Sequence, residues 1–335
     1  MFYKKNPLKH YSCSKKDKGA SMITQPKNLL IFYGYMNSFN SATNQWTNEK
    51  VAQDMAKYDI CVFGNGVADP THPDFVNAQI IIARLIALKP DIKIFGYVTA
   101  NQALASFQTK VNQWDALNIQ GIFMDEAGYD YGVTRDQFNE KVIYVHGRIK
   151  SKLCFANAWN MDHIIGTAND PNFPNSTYNP NLRKSYLNSS DWYLLESFSV
   201  NTLSYTASNG FALQADVLAR GNKAVALSKQ YGIKVAVSGV VDNASPTGQT
   251  LADFHYHSTV AFGFDAGGTS DSYYGASTAA VMYWARPTPR NIGTTSSVVV
   301  VIDGLDANIC IRYGEFSRLL LNFTPNAQIS SIQTW

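Results

Sequence analysis

Short apolar runs alternate with longer amphipathic segments along most of this chain. Eight runs are almost continuously apolar and too short for helices, which favours strands buried on both faces of a parallel sheet. They cover 29–35, 59–64, 92–99, 119–124, 152–157, 191–197, 233–241 and 263–267. Helices are predicted between most of these runs, over 48–57, 74–88, 102–117, 134–150, 211–231 and 250–261.

This alternation of strand and helix is typical of parallel βαβ units. Eight units within about 250 residues predict an α/β fold, a closed (β/α)8 TIM barrel spanning residues 27–286. The alternative is an open doubly wound sheet. That alternative is disfavoured because the first strand leads into Gly34-Tyr35-Met36-Asn37 rather than into a Gly-x-Gly-x-x-Gly turn.

Both ends of the chain depart from the barrel pattern. Residues 1–26 are rich in lysine and have little to bury, so an extended N-terminal arm that contacts another chain is predicted, with a disordered leader as the alternative. After a helix predicted over 276–285 and the Pro-Thr-Pro of 287–289, β segments are predicted over 297–303, 308–313 and 319–324. Residues 287–335 should therefore form a small antiparallel β domain on the barrel.

Composition narrows the class of function. A net charge of +3 with no basic stripe gives no support for binding nucleic acid. The four cysteines lack metal-ligand spacing, and no motif calls for a metal or cofactor. Neither a membrane span nor the apolar centre of a signal peptide is visible. A charged fraction of 16% suits an extracellular or virion-associated protein.

Two predicted strands end in carboxylates. The fourth leads directly into Asp125 and Glu126, and the sixth leads into Glu196. An acid after a strand is often only a helix cap, but the next helix is predicted to begin later, near Thr134. Inward side chains from strands of the same parity share a layer in such a barrel, so Asp125 and Glu196 should face each other at about 5 to 6 Å, as in retaining glycoside hydrolases. The alternative for Glu196 is a structural, ion-paired acid.

The same segments resemble a known family. Ile-Phe-Met-Asp-Glu-Ala on strand four, Leu-Leu-Glu-Ser-Phe on strand six and Tyr33-Gly34-Tyr35 on strand one look like the spherulin-4-type glycosidases and the related endo-α-1,4-galactosaminidases, which cut amino-sugar exopolysaccharides. The resemblance covers about residues 27–285 and implies that Asp125 and Glu196 are the catalytic pair. After strand five, relatives tend to show Asn-Pro-Gly, whereas this chain has Asn157-Ala158-Trp159-Asn160 beside the cleft.

The expected reaction is hydrolysis of a bacterial surface polysaccharide or exopolysaccharide by double displacement. Asp125 would be the nucleophile, and Glu196, buried beside that anion, the acid and base. Glu126 should point away from Asp125 if the strand stays extended. Candidate sugar contacts at or just after strand ends are Tyr35, Tyr97, Glu126, Asn157, Trp159, Asp242, Asp265 and Asp271. The long connection over 160–190 is expected to roof the cleft.

Two classes of protein fit these features. One is a polysaccharide hydrolase, carried by a bacteriophage virion as a depolymerase that attaches through residues 1–26. The other is a noncatalytic virion structural or receptor-binding protein built on a glycosidase-like barrel. The acid pair discriminates between them, because an inactive descendant has no reason to keep two carboxylates at one depth.

Overall fold

Eight parallel strands close into a barrel in the computed structural model, which describes residues 26–39, 47–64, 66–148, 153–200, 216–241 and 248–271 and four strands beyond residue 298. The barrel strands are β1 (Lys27–Phe32), β2 (Ile60–Phe63), β3 (Lys93–Thr99), β4 (Gly121–Asp125), β5 (Leu153–Asn157), β6 (Trp192–Leu195), β7 (Lys234–Val241) and β8 (Ala266–Asp271). They pair in chain order, and β8 returns to β1. The predicted TIM barrel is confirmed, and the open sheet is wrong.

Helices surround the barrel on the outside. They are α1 (Asn48–Met55), α2 (Phe75–Leu88), α3 (Leu104–Asp115), α4 (Arg135–Arg148), the single turn α5 (Asn175–Tyr178), α6 (Val217–Tyr231) and α7 (Gly248–Phe262). Within the ranges given above, no helix combines the length and the apolar character needed to cross a membrane. The helix predicted over 276–285 lies outside the described residues.

The barrel interior is filled by an apolar plug of inward side chains. Its buried members are Leu29, Ile60, Val62, Phe95, Phe123, Phe155, Trp192, Leu194, Ala236 and Ala266. Phe155 packs edge-on against Phe95 and Phe123, with ring centroids 5.3 and 5.1 Å away. Because this layer is closely packed, the barrel has a solid floor beneath its carboxyl-terminal mouth, the end at which TIM barrels carry their chemistry.

The opposite, amino-terminal end of the barrel repeats one hydrogen bond four times. The residue just before each even-numbered strand accepts, through its side chain, the N–H of the second residue of the preceding odd-numbered strand. The pairs are Asp59 with Asn28 (2.7 Å), Gln120 with Ile94 (2.8 Å), Asp191 with Cys154 (2.8 Å) and Asp265 with Val235 (2.9 Å). These four side chains therefore satisfy backbone donors at the bottom of the barrel.

This arrangement corrects the prediction for Asp265. The sequence placed the eighth strand over 263–267, with Asp265 near its carboxyl end, whereas β8 begins at Ala266. Asp265 consequently lies at the amino-terminal end of the barrel, opposite the mouth that holds Asp125. Its carboxylate accepts the Val235 N–H at 2.9 Å, so its contact is with the backbone of β7.

The connection between β5 and β6 takes the place of a full-length helix. The buried Arg135, in the first turn of α4, donates to the carbonyl oxygens of Asp162 (2.9 Å), Gly166 (2.9 Å) and Arg183 (3.1 Å). Further down α4, Asn139 donates to the Lys184 carbonyl at 3.0 Å. The second half of the connection therefore runs down the side of α4 and does not roof the cleft, and only its first half lies at the mouth.

Beyond the barrel, β9 (Val299–Val300), β10 (Ile309–Tyr313), β11 (Ser317–Asn322) and β12 (Ile332–Thr334) form an antiparallel sheet in the order β12-β11-β10-β9. Three of these strands correspond to predicted segments, and β12 was not predicted. The backbone of β10 and β11 lies beside α7. The predicted arm, up to residue 25, lies outside the described residues.

Candidate active site

The inward positions change from apolar to polar at one level of the barrel. Continuing the alternation of a strand by two residues beyond the plug leads from Ile31, Phe95, Phe123, Phe155 and Leu194 to Tyr33, Tyr97, Asp125, Asn157 and Glu196. Strand geometry therefore directs these five polar side chains into the mouth, one from β1 and four from the neighbouring strands β3 to β6. They form a polar ring directly above the apolar floor.

Asp125 and Glu196 are joined by one amide. The Asn157 Nδ2 donates to Asp125 Oδ1 at 2.9 Å and to Glu196 Oε2 at 3.0 Å. Since a planar amide directs its two N–H bonds about 120° apart, the two acceptor oxygens lie about 5 Å from each other. The intervening strand β5 thus sets the spacing of acids that come from β4 and β6.

Asp125 is the more enclosed acid. Loss of solvent on burial raises the pKa of its carboxyl above the ordinary aspartate value, opposed by hydrogen bonds from the Glu126 N–H, Tyr97 and Asn157. The Glu126 N–H donates to Asp125 Oδ1 at 2.9 Å. Burial, and next the Asp125 anion, raise the pKa of the Tyr97 phenol, which keeps it protonated as a donor. Asp125 is therefore a poorly solvated carboxylate held in a fixed orientation.

Glu196 differs from the expectation of a buried acid, because its side chain is exposed at the rim of the mouth. It follows the last residue of β6, and the next residue, Ser197, has a left-handed backbone with φ of 48°. Glu126 has a similar conformation, with φ of 53°. A residue in this conformation is not extended, so the expected alternation that would point Glu126 away from Asp125 ends at the acid itself.

Glu126 remains close to the site. Burial first, and then the Asp125 anion, raise the pKa of its carboxyl, while a hydrogen bond with Asn101 lowers it. Asn101 was not singled out in the sequence because nothing in its local pattern distinguishes it. Glu126 thus adds a third carboxylate to the mouth without belonging to the pair that Asn157 bridges.

Aromatic side chains form one wall of the site. Tyr33 packs edge-on against Tyr97 with ring centroids 4.9 Å apart, and a side chain at Gly64 would collide with the Tyr33 ring. Tyr35 is exposed and packs against His72 at 4.9 Å. Of the Tyr33-Gly34-Tyr35 motif, Tyr33 is therefore the member that joins the polar ring, although the sequence analysis chose Tyr35.

A further aromatic residue at the mouth was missed. Tyr131 is 51% exposed, in a short 3₁₀ turn after β4. Its pKa is raised first by desolvation and then by the surrounding carboxylates, with Asp125 and Glu196 among them. Tyr131 therefore adds an exposed aromatic ring beside the acid pair. The signal that could have found it is its position, just after the strand that carries Asp125.

Trp159 is linked to the Glu196 backbone through Arg220. Half of its surface is exposed, and the Arg220 guanidinium stacks 4.0 Å from the ring centroid. A cavity of about 320 Å³ opens next to this pair, lined in part by Asp130, Asn160 and Phe173. The cavity therefore lies beside the turn that carries Glu196, because Leu195 and Arg220 also line it.

The remaining two sequence-predicted contacts are Asp242 and Asp271. Asp242 lies outside the described residues. Asp271 ends β8 and pairs with Val241, so its backbone is at the mouth.

One potential group of metal ligands occurs in the part of the chain that the structure describes. His146, Cys154 and Asp191 place ligand atoms within 4.8 Å of one another at the bottom of the barrel. The Asp191 carboxylate already accepts the N–H groups of Cys154 (2.8 Å) and Asn188 (2.7 Å). Gln120 occupies the equivalent position before β4 and accepts the Ile94 N–H in the same way. The position of the Asp191 carboxylate is therefore explained by its hydrogen bonds to the backbone, which require no metal.

The fold and the site together define a TIM barrel with a bridged pair of carboxylates at its carboxyl-terminal mouth. No protein-family model matches the chain, and no curated protein matches it. Among solved structures, it is similar to AmyP in complex with maltose, with 10% identity, a TM-score of 0.49 and coverage of 88% of this chain and 86% of that chain.

Other similar structures have different activities. A GH5-4 broad specificity endoglucanase from Clostridium longisporum has 11% identity and a TM-score of 0.44, over 74% of this chain and 86% of that chain. An HpcH/HpaI aldolase from Desulfitobacterium hafniense has 8% identity and a TM-score of 0.39, over 74% and 86%. Since hydrolases and an aldolase both occur at this distance, the likeness does not discriminate between activities.

Proposed function

We propose that this protein is a glycoside hydrolase that cuts a bacterial surface polysaccharide or exopolysaccharide with retention of configuration. The observation that carries the proposal is that the Asn157 Nδ2 donates both to Asp125 Oδ1 at 2.9 Å and to Glu196 Oε2 at 3.0 Å, which for a planar amide corresponds to about 5 Å between the two oxygens. Retaining enzymes hold their carboxyl groups about 5 to 5.5 Å apart, whereas inverting enzymes leave a larger gap for water.

The surroundings of the two acids support different roles. Asp125 is enclosed and oriented by three hydrogen bonds, and a poorly solvated carboxylate in a fixed position suits attack on an anomeric carbon. Glu196 is exposed at the rim, where it can exchange protons with water and reach the leaving oxygen. We therefore assign Asp125 as the nucleophile and Glu196 as the acid and base.

In the first step, an Asp125 oxygen bonds to the anomeric carbon while the bond to the leaving oxygen breaks and Glu196 gives that oxygen its proton. In the second step, Glu196 takes a proton from water, and the water oxygen displaces Asp125. Asn157 can hold both carboxylates throughout, because its amide donates to each of them. No metal or cofactor is required for this sequence of steps.

The charge of the mouth supports an amino sugar as substrate. Asp125, Glu126, Asp130 and Glu196 surround Tyr131 at the opening, and Arg220, which contacts the Glu196 backbone, directs N–H groups to backbone carbonyls rather than to these carboxylates. A cluster of carboxylates attracts a cationic sugar and repels a uronic acid polymer. Attachment to a virion through residues 1–26 stays a prediction.

Release of reducing ends from purified bacterial polysaccharides tests the proposal, with a galactosamine-containing exopolysaccharide and a uronic acid polymer in the panel. Asp125→Asn and Glu196→Gln should each lower turnover at least about 10³-fold. Matched controls are Asp265→Asn, at the bottom of the barrel, and Glu140→Gln, exposed on α4, both of which should retain activity. Binding without release by the wild-type protein would favour the noncatalytic receptor-binding alternative.

Azide separates the roles of the two acids on an activated aryl glycoside of the released sugar. With Glu196→Ala, azide should attack the covalent intermediate from the vacated side and give a glycosyl azide of retained configuration. With Asp125→Ala, it should replace the nucleophile and give the inverted product. The opposite pattern would exchange the two assignments.

A further inference from the structure

We infer that Arg220 is a positioning residue that fixes the backbone carrying Glu196. The positioning role itself is independent of the proposed function, and only its effect on catalysis rests on that function. Glu196 needs such support because it lies beyond β6. Its strand ends at Leu195, its side chain is exposed, and Ser197 follows in a left-handed conformation. Residues in this conformation persist only where neighbouring groups hold them.

The Arg220 guanidinium supplies that support from α6. Its Nη2 donates to the Glu196 carbonyl at 2.6 Å, and its Nη1 donates to the Ser197 carbonyl at 3.3 Å. A planar fork matches two successive carbonyls as a lysine cannot. From the other side, the Ser238 carbonyl accepts the Phe198 N–H at 2.9 Å. The turn that contains Glu196 is therefore held by hydrogen bonds from both α6 and β7.

Arg220 is itself held in place. Its side chain is only 10% exposed, its guanidinium stacks 4.0 Å from the Trp159 ring centroid, and Asp216 lies 4.0 Å away one helical turn earlier. The guanidinium of Arg220 thus contacts both the segment that follows β5, through Trp159, and the segment that follows β6, through Glu196. The strand β5 also carries Asn157, which donates to the Glu196 carboxylate. Arg220 therefore fixes the position of the donor's loop relative to that of the acceptor in this hydrogen bond.

The first test needs no substrate and therefore does not depend on hydrolase activity. In ¹⁵N-labelled protein, both side-chain amide protons of Asn157, assigned by their loss in Asn157→Ala, should be shifted downfield by the two carboxylates. In Arg220→Met, the proton facing Glu196 should move towards the free-amide position while the proton facing Asp125 stays. Lys229→Met, an exposed change on the same helix, should move neither.

Arg220→Lys provides a second variant in case the methionine variant does not fold. Its ammonium group lacks the planar fork that matches both carbonyls, so it should shift the same proton by a smaller amount. If both protons keep their wild-type shifts in a folded Arg220 variant, or if both are lost together, Arg220 does not position Glu196 and the inference is overturned.

The second test measures the catalytic consequence. A misplaced acid should lower turnover of the polysaccharide about 10²-fold, but turnover of the corresponding glycosyl fluoride less than about fivefold, because fluoride leaves with little protonation. Equal losses on both substrates would indicate general damage to the site and would overturn the catalytic consequence of the inference. If the wild-type protein cleaves nothing while the Asn157 proton shifts as expected, the proposed function fails and the positioning role stands.

Discussion

Substitutions at the bottom of the barrel test whether Asp265 is structural, as its geometry indicates, or a sugar contact, as the sequence suggested. Asp265→Ala removes the acceptor of the Val235 N–H, which is made at 2.9 Å. A buried donor left without a partner costs about 1 to 3 kcal/mol. The expected result is a loss of that size in the free energy of unfolding, with turnover unchanged.

Asp265→Asn separates the hydrogen bond from the charge. The amide oxygen can still accept the Val235 N–H, and the charge of a side chain that is partly open to solvent is removed. Burial is the largest influence on Asp265 and raises the pKa of its carboxyl, opposed by the Val235 N–H and by Lys234. A raised pKa in the folded state means that the stability contributed by this group is complete below the unfolded value, about 3.9, and is lost as the pH rises through the folded value.

Asp265→Asn should therefore be at least as stable as the wild type at pH 7 and gain nothing below about pH 4. Urea denaturation at both pH values measures this, and Gln120→Ala and Gln120→Glu form a matched pair at the equivalent position of β4. Gln120→Ala should lose about 1 to 3 kcal/mol, and Gln120→Glu much less. The reasoning would be refuted if Asp265→Ala lost turnover but no stability.

Three further predictions concern the site and the arm. Asp125→Asn should raise the free energy of unfolding at pH 7 by about 1 kcal/mol, because burial raises the pKa of Asp125. The gain should vanish below about pH 4. Thermal unfolding at both pH values measures it, and a gain that persisted in acid would contradict the prediction. Asn157→Ala should lower turnover about 10²-fold with little change in KM, as steady-state kinetics would measure; a change in KM alone would make Asn157 a binding residue instead. Deleting residues 1–26 should leave the unfolding midpoint nearly unchanged while abolishing assembly, measured by calorimetry and light scattering, and a large loss of stability would show that the arm belongs to the fold.

The barrel strands with strong apolar runs were predictable because burial on both faces leaves a continuous signal. The eighth strand was misplaced because its sequence, Ala-Gly-Gly-Thr-Ser-Asp, has no such signal. A side chain at Gly268 would collide with the Leu29 carbonyl, so close approach of β8 to β1 requires glycine there. The predicted strand, 263–267, begins three residues before β8. Because of this shift, Asp265 was predicted at the carboxyl-terminal end of the barrel instead of the amino-terminal end.

Asp125 and Glu196 could be found because acids directly after buried strands contrast with their surroundings. The roles of their neighbours could not be found in this way. Asn157 was predicted as a sugar contact, whereas its amide is engaged by two carboxylates that are 32 and 39 residues away in the chain. Arg220 acts on a turn 24 residues earlier, through backbone carbonyls that any sequence would provide. Such contacts depend on the closed barrel rather than on a local pattern.

Both acids are followed by a residue in the left-handed conformation, Glu126 after Asp125 and Ser197 after Glu196. Each such residue costs of order 1 kcal/mol relative to an extended backbone, and an enclosed carboxylate adds to this cost. The closely packed apolar plug lies directly beneath the two acids. Asn157 holds the two carboxylates by hydrogen bonds, and Arg220 holds the backbone of Glu196. Backbone strain of this kind clusters at active sites, so its occurrence directly after both acids is in keeping with the chemical role proposed for the pair.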